Sequence, residues 1–157
     1  MSSNDIRNAR DPEQIRRMKA LQEKDLCYFC KQGSEEEKTL PVTIKEGAYW
    51  YVMANDFPLE GSIHHYLIVP RRHIANTFDL MTYERHEQVA LEEWLLKTFL
   101  PDVTGYSSFV RSGDTKVTGA TLTHLHYHYL VGGPRPKGEI KMESETVVPV
   151  VLAFKVR

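Results

Sequence analysis

Long apolar runs, cysteines and an excess of charge of either sign are all scarce in this chain of 157 residues. No stretch approaches the roughly 20 consecutive apolar residues of a transmembrane helix, and the first residues lack the apolar centre of a signal peptide. The 20 basic residues nearly balance the 21 acidic ones, so no overall field attracts nucleic acid or a membrane surface. We therefore expect a cytoplasmic protein that binds neither, in which local groups hold any anionic ligand.

The two cysteines, Cys27 and Cys30, form a Cys-x-x-Cys pair. In a reducing compartment, two thiols at this spacing are typical of a metal clamp or a redox pair rather than a structural disulfide. Reduced, buried thiols without a special role are a third interpretation. No thioredoxin-like βαβ pattern surrounds the pair, which favours a metal.

The chain length suits one domain. Two segments of the sequence have helical patterns. A helix is predicted over residues 11–25, with Asp11 as its cap and Pro12 in its first turn. Its apolar stripe consists of Ile15, Met18 and Leu21. A second helix is predicted from Thr82, as cap, to about residue 99. The apolar face of this second helix includes Ala90, Leu91, Trp94, Leu95 and Phe99.

Strand patterns are more numerous than helical ones. Strands are predicted at residues 48–54, 65–69, 106–111, 121–131 and 146–156. Hairpins outnumber βαβ units, so the sequence predicts an α+β fold with an antiparallel sheet.

Three histidines alternate with hydrophobic residues in the run from His124 through His126 to His128. Alternate side chains of a strand share one face, so the three imidazoles are expected in a row, about 7 Å apart at roughly 3.3 Å per residue. That spacing suits groups that cooperate around one reacting centre. It is too wide for all three to bind one metal ion, because zinc–nitrogen bonds are only about 2 Å long. A polar face of structurally satisfied histidines, or an adventitious metal patch, is the alternative.

A histidine in the middle of such a row is a competent nucleophile near pH 7, because its ordinary pKa is about 6.5. A flanking histidine can hold its tautomer or hand a proton to a leaving group. Phosphorus suits this chemistry, since a phosphohistidine intermediate is readily discharged. The preceding residues, Gly119-Ala120-Thr121, can offer backbone N–H groups and a hydroxyl to phosphate oxygens.

The run from His124 to Leu130 resembles the His-x-His-x-His-x-x signature of the histidine-triad superfamily. Upstream, Asn55-x-x-Pro58 followed by residues 65–73 looks like that family's second landmark, and the resemblance covers roughly residues 27–131. It implies one domain over residues 1–157 with a five-stranded antiparallel sheet and two main helices. An N-terminal helical extension (residues 1–26) and a C-terminal segment (132–157) are added to it. The resemblance also implies a homodimer formed by joined sheets.

The resemblance assigns roles to the histidines. His126 would attack the α-phosphorus and form a nucleotidyl-histidine, with His128 and His65 orienting it. In zinc-containing members, a Cys-x-x-Cys pair joins two histidines, and the matching residues here are Cys27, Cys30, His73 and His124. We therefore expect one structural zinc ion per chain, with His124 counted both in the catalytic row and among the metal ligands.

The resemblance also implies a nucleotide site. Asn55 matches the position that contacts the ribose, and Thr121 the one that touches the α-phosphate. Ala120 departs from the family, where many members carry glutamine, so Arg111 is expected to supply charge to the phosphate instead. Phe57 is a candidate to touch the base.

The implied function is hydrolysis at the α-phosphate of a dinucleoside polyphosphate or a nucleoside phosphoramidate. Two alternatives stay open: a diadenosine polyphosphate phosphorylase, which is a nucleotidyltransferase, and a nucleotide-binding signalling protein with little catalysis. Nucleic-acid processing would require an added basic module. The basic cluster of Arg7, Arg10, Arg16, Arg17 and Lys19 is more typical of a solvated helix face.

Overall fold

The computed structural model describes residues 5–30, 42–100, 102 and 104–133. The strand predicted at 146–156 lies outside the described residues. The helices are α1 (Pro12–Glu23), α2 (Thr82–Phe99) and α3 (Thr115–Thr118), with 3₁₀ turns at Ile6–Asn8 and Thr77–Asp79. The strands are β1 (Thr43–Glu46), β2 (Trp50–Ala54), β3 (Ser62–Pro70), β4 (Ser107–Arg111) and β5 (His126–Gly132). Within the described ranges, no helix has both the length and the apolarity needed to cross a membrane.

The five strands form one antiparallel sheet in the order β1-β2-β3-β5-β4. This confirms the predicted α+β class. The sequence patterns did not reveal β1, a four-residue edge strand of half-buried and exposed residues. Its hydrogen bonds to β2 keep it in the sheet, where Lys45 lies opposite Val52. So short an edge strand has no hydrophobic period to detect.

Strand β5 begins at His126, five residues later than the predicted strand. The backbone before it bonds outside the sheet: the Asp5 N–H donates to the Thr121 carbonyl at 2.7 Å, and the Leu125 N–H donates to the Ile74 carbonyl at 2.7 Å. His124 therefore lies in a bend that precedes β5. The prediction that all three histidines belong to one strand is wrong for His124.

Both faces of the sheet are covered, as β2 shows. Trp50 and Val52 belong to a buried cluster with Leu91 and Leu95 of α2. The alternating residues of β2 point to the other face and pack with the α1 side of the molecule. Helix α1 therefore covers one face of the sheet and α2 covers the other. Each large apolar side chain that is fully buried on either face contributes roughly 1.5–3 kcal/mol.

Helix α1 begins where the sequence predicts. The carboxylate of Asp11 accepts the backbone N–H groups of Glu13 and Gln14 at 2.8 and 3.2 Å. Its buried stripe is Gln14, Met18 and Leu21, whereas Ile15 is only half-buried. Gln14 tolerates burial because its side-chain oxygen accepts a backbone N–H from the preceding turn.

Helix α2 has the predicted bounds but a different cap and a narrower apolar face. Its cap is Met81, whose backbone N–H donates to the Glu84 carboxylate at 2.8 Å. Leu91 and Leu95 are buried. Ala90 is exposed and Phe99 is 38% exposed, so the predicted apolar face is wrong at those two positions.

Candidate functional site

Three buried imidazoles form a compact group on the α1 side of the sheet. His126 and His128 are alternate residues of β5, and His65 lies on the neighbouring strand β3. The ring centroids of His126 and His128 are 4.8 Å apart, and those of His65 and His128 are 5.1 Å apart. The rings of His126 and His128 are tilted, and their centroids lie closer together than the spacing along the strand predicts.

A chain of hydrogen bonds fixes the tautomers of His65 and His128. The Leu59 backbone N–H donates to Nδ1 of His65 at 3.0 Å. The proton of His65 is therefore on Nε2, which donates to Nδ1 of His128 at 2.8 Å. The proton of His128 must then be on its Nε2. This buried atom has no hydrogen-bond partner among the residues that the structure describes, so it is a donor ready for a ligand.

The tautomer of His126 is the opposite one. Its Nδ1 lies 2.7 Å from the carbonyl oxygen of His124, and because a carbonyl can only accept, Nδ1 carries the proton. Burial is the main cause that lowers the pKa of His126 to about 4, and the charge of Arg111 acts in the same direction. At neutral pH the ring is therefore uncharged, and its Nε2 keeps the lone pair that a nucleophile requires.

Burial also lowers the pKa of His65 to about 3, with help from the charge of Arg10. In the unfolded chain the pKa returns to about 6.5, so the unfolded state binds an extra proton between these values. The contribution of neutral, buried His65 to the free energy of unfolding is complete above pH 6.5. As the pH falls from 6.5 toward 3, this contribution decreases by up to about 1.4 kcal/mol per pH unit.

We therefore expect His65→Gln to flatten the pH dependence of the free energy of unfolding, measured with urea between pH 7 and pH 5. His86→Gln is the control, because His86 is exposed on α2. If the His65→Gln slope equals that of the original protein, then His65 is not a buried neutral histidine.

A pocket opens beside the histidines. His126 and His128 line it, together with three residues of the predicted nucleotide site: Asn55, Phe57 and Thr121. Its cavity volume of about 60 Å³ is far below the roughly 300–1,000 Å³ of typical ligand pockets. It can therefore enclose the reacting group of a ligand, while the rest of a nucleotide must extend across the rim.

The remaining predicted nucleotide-site residues differ in their placement. Arg111 lines the pocket, and its Nη1 donates to the Thr118 carbonyl at 2.5 Å. Burial lowers its pKa to about 10, so it remains charged at pH 7. Ala120 is buried and is not among the described residues that line the pocket. Its carbonyl accepts a hydrogen bond from Asn8 at 2.7 Å, and its role in nucleotide binding stays a prediction.

Arg10 is a pocket residue that the sequence patterns did not reveal. It is exposed, as the sequence predicts, but it precedes α1 and lines the pocket, so the prediction that it lies on a helix face is wrong for Arg10. Its Nη2 donates to the Phe57 carbonyl at 3.3 Å. The cap at Asp11 places Arg10 outside the helix, but no local pattern shows that the turn before α1 folds against the segment that precedes β5.

The four predicted metal ligands, Cys27, Cys30, His73 and His124, form one cluster. Their ligand atoms all lie within 4.8 Å of one another. Sγ of Cys27 is 3.4 Å from Nδ1 of His124, and Sγ of Cys30 is 3.2 Å from Nδ1 of His73. Sulfur and nitrogen ligands of a tetrahedral zinc ion are about 3.6 Å apart, as bond lengths of about 2.3 and 2.05 Å require. The cluster therefore has the donor set and the size of a zinc site.

The surroundings of the cluster suit a metal as well. Nε2 of His124 donates to the Pro70 carbonyl at 2.9 Å, which leaves the lone pair of Nδ1 directed at the cysteines. The hydrogen bond from Cys30 and the nearby His124 lower the pKa of Cys27, which favours a thiolate. His124 thus separates from the other three predicted catalytic histidines, but its carbonyl still contacts His126.

No family model matches the sequence, and neither does any curated protein. The structure is similar to that of a histidine triad nucleotide-binding protein from Candida albicans, with 19% identity over 74% of this chain and 87% of that chain and a TM-score of 0.52. A HIT family hydrolase from Legionella pneumophila Philadelphia 1 is also similar, with 22% identity over 71% of this chain and 96% of that chain and a TM-score of 0.51. The chain therefore has the fold of the histidine-triad (HIT) proteins.

Proposed function

We propose that this protein is a nucleotide hydrolase of the histidine-triad type, which cleaves its substrate at the α-phosphate with His126 as nucleophile. One observation carries the proposal. Two neighbouring imidazoles in one pocket have complementary tautomers, with a lone pair on Nε2 of His126 and a free N–H on Nε2 of His128. A nucleophile beside a hydrogen-bond donor is what attack on a phosphate ester requires.

In the first step, the lone pair of Nε2 of His126 forms a bond to the α-phosphorus, and the bond from phosphorus to the leaving group breaks. The leaving group departs with the electron pair. The ring becomes a phosphorylated imidazolium, and the His124 carbonyl that accepts its Nδ1–H stabilises the positive charge. Nε2–H of His128 donates to a phosphate oxygen, where negative charge accumulates.

In the second step, water attacks the same phosphorus and gives up one proton to the solvent, and the phosphorus–nitrogen bond breaks. The electron pair returns to Nε2 of His126, and a nucleoside monophosphate leaves. Arg111 lies opposite His126 across the pairing of β4 with β5, so its guanidinium is close to the reacting phosphate in both steps. Phe57, half-buried at the pocket, is available to contact the base.

We propose that the cluster of Cys27, Cys30, His73 and His124 binds one zinc ion per chain. Four protein ligands complete a tetrahedral shell, so the ion would have a structural role and no open position for water. The ion would connect the residues that follow α1 to the loop after β3 and to the bend before β5. Through the carbonyl of His124, this connection also holds the nucleophile in place.

The predicted homodimer and cytoplasmic location remain proposals. Among the strands that the structure describes, β4 forms one edge of the sheet, and most of its residues are exposed. An edge of this kind can pair with the same edge of a second copy. Light scattering coupled to gel filtration will measure the mass directly, and a monomer at micromolar concentration would contradict the dimer.

Chemical quenching during turnover tests the proposed reaction. We expect the peptide that carries His126 to gain the mass of one nucleoside monophosphoryl group when the protein is mixed with diadenosine tetraphosphate and rapidly denatured in alkali. Water as acceptor yields AMP and ATP. If added phosphate accelerates turnover and the products are ADP and ATP, then the protein is a phosphorylase. The absence of both adduct and turnover, with binding retained, would leave a nucleotide-binding protein without catalysis.

A further inference from the structure

The turn before α1 is attached to the loop that leads into the nucleophile's strand. The Asp5 N–H donates to the Thr121 carbonyl at 2.7 Å. The side-chain amide of Asn8 donates to two more carbonyls, that of Thr115 in α3 at 3.0 Å and that of Ala120 in the loop at 2.7 Å. Three hydrogen bonds therefore hold residues 5–8 against the segment that contains the pocket residues Gly119 and Thr121, and Arg10 follows two residues later.

Two guanidinium groups, those of Arg10 and Arg111, line the pocket that His126 and His128 also line. Neither forms an ion pair with an acidic residue in the described part of the chain. Each is instead held by one backbone carbonyl, and a guanidinium has five N–H donors. Most of their hydrogen-bonding capacity is thus available to a ligand.

The two positive charges repel each other: burial is the main cause that lowers the pKa of Arg111, and the charge of Arg10 acts in the same direction. Burial likewise lowers the pKa of His65 and of His128, and the charge of Arg10 adds to the shift in both cases. An uncompensated pair of cations beside a buried site is unfavourable by itself, and a bound anion removes that cost. The pocket therefore favours a ligand with more than one negative charge.

The two arginines approach from different walls. Arg111 lies on β4 directly opposite His126, which places it beside the phosphorus that His126 attacks. Arg10 comes from the turn before α1 and binds the Phe57 carbonyl at the exposed rim. A chain of phosphates that begins at His126 and leads out of the small cavity therefore passes Arg10 after it has passed Arg111.

We propose that Arg10 is a specificity-determining residue, which binds the phosphate next to the reacting one and so favours substrates with two or more linked phosphates. This inference rests on the proposed function for the reaction that it selects. In this proposal Arg10 contacts the phosphates of the leaving group. The nucleophile remains His126, and His128 remains the donor to the reacting phosphate.

Its test compares two substrates that share the reacting AMP group but differ in the leaving group. Diadenosine tetraphosphate carries further phosphates, and adenosine 5′-phosphoramidate carries none. We expect Arg10→Ala to lower kcat/KM for the first by about 10- to 100-fold, the range for a hydrogen bond to a charged group, and for the second by a much smaller factor. Arg10→Lys should recover part of the loss, because lysine keeps the charge but not the fork. Arg16→Ala is the control, since Arg16 is exposed on α1 and paired with Glu13.

A binding measurement separates this inference from the proposed reaction. Calorimetric titration with inorganic tripolyphosphate should show at least tenfold weaker binding to Arg10→Ala than to the original protein and the control. If the original protein turns over neither substrate and still binds tripolyphosphate more tightly than Arg10→Ala does, that result would contradict the proposed function and support an anion-binding site at Arg10. If Arg10→Ala lowers kcat/KM by the same factor for both substrates, or if tripolyphosphate binds all variants with the same affinity, Arg10 does not select for linked phosphates.

Discussion

Replacing His126 with alanine is expected to lower kcat for nucleotide cleavage by about 10⁴-fold or more, because removing a covalent nucleophile usually costs that much. Neither neighbouring histidine of the described group can replace it, since the lone pair of His128 is engaged by the N–H of His65 and that of His65 by the Leu59 N–H. The measurement is AMP release from diadenosine tetraphosphate under saturating substrate, followed together with the loss of the mass adduct.

Two controls make the His126→Ala result specific. His86→Ala removes an exposed histidine of α2 and should leave turnover unchanged. His128→Asn should lower kcat by a smaller factor of about 10² to 10³, because it removes a donor to the phosphate and keeps the nucleophile. If His126→Ala retains ordinary turnover while binding and melting temperature are normal, the assignment of the nucleophile is wrong.

The second large effect is expected at the metal cluster of Cys27, Cys30, His73 and His124. Changing both cysteines to serine should abolish zinc binding and lower the melting temperature by about 10 °C or more. Structural zinc contributes many kcal/mol of folding free energy, and each kcal/mol corresponds to roughly 2–4 °C in a domain of this size. Turnover should also fall, since His124 holds Nδ1 of His126 through its carbonyl.

Chelation separates the metal from the thiols themselves. The original protein should lose stability when a strong chelator removes its metal and regain it when one equivalent of zinc is added. The double-serine variant should respond to neither treatment. Metal analysis is the decisive measurement: purified protein that contains no zinc, and whose melting temperature a chelator does not change, would contradict a structural metal.

How far the site can be predicted from the sequence depends on the distance over which its contacts act. The alternation of His126 and His128 in one strand places both rings on one face of the sheet, a local property of extended backbone. The link between His65 and His128 depends on the register of β3 against β5, because Leu67 lies opposite His128 while the His65 ring reaches across. Sequence spacing carries no information on that register.

The metal cluster illustrates the same division. The spacing of Cys27 and Cys30 is a local signal for a metal clamp, whereas the partners His73 and His124 were inferred from family resemblance. Their assembly, with ligand atoms within 4.8 Å, needs the loop after β3 and the bend before β5 to meet beside α1. That bend is also where the predicted strand was too long, since the backbone beside it bonds to Ile74 and Asp5.

By itself, the sequence determined what nearest neighbours along the chain decide: the Asp11 cap, the span of α2 and the common face of His126 and His128. Only the tertiary structure decided which tautomer each histidine holds, because the Leu59 N–H and the His124 carbonyl set it. It also brought Arg10 to the pocket. These contacts join residues that are far apart in the chain, and their energies depend on burial and orientation, which no local pattern of residues records.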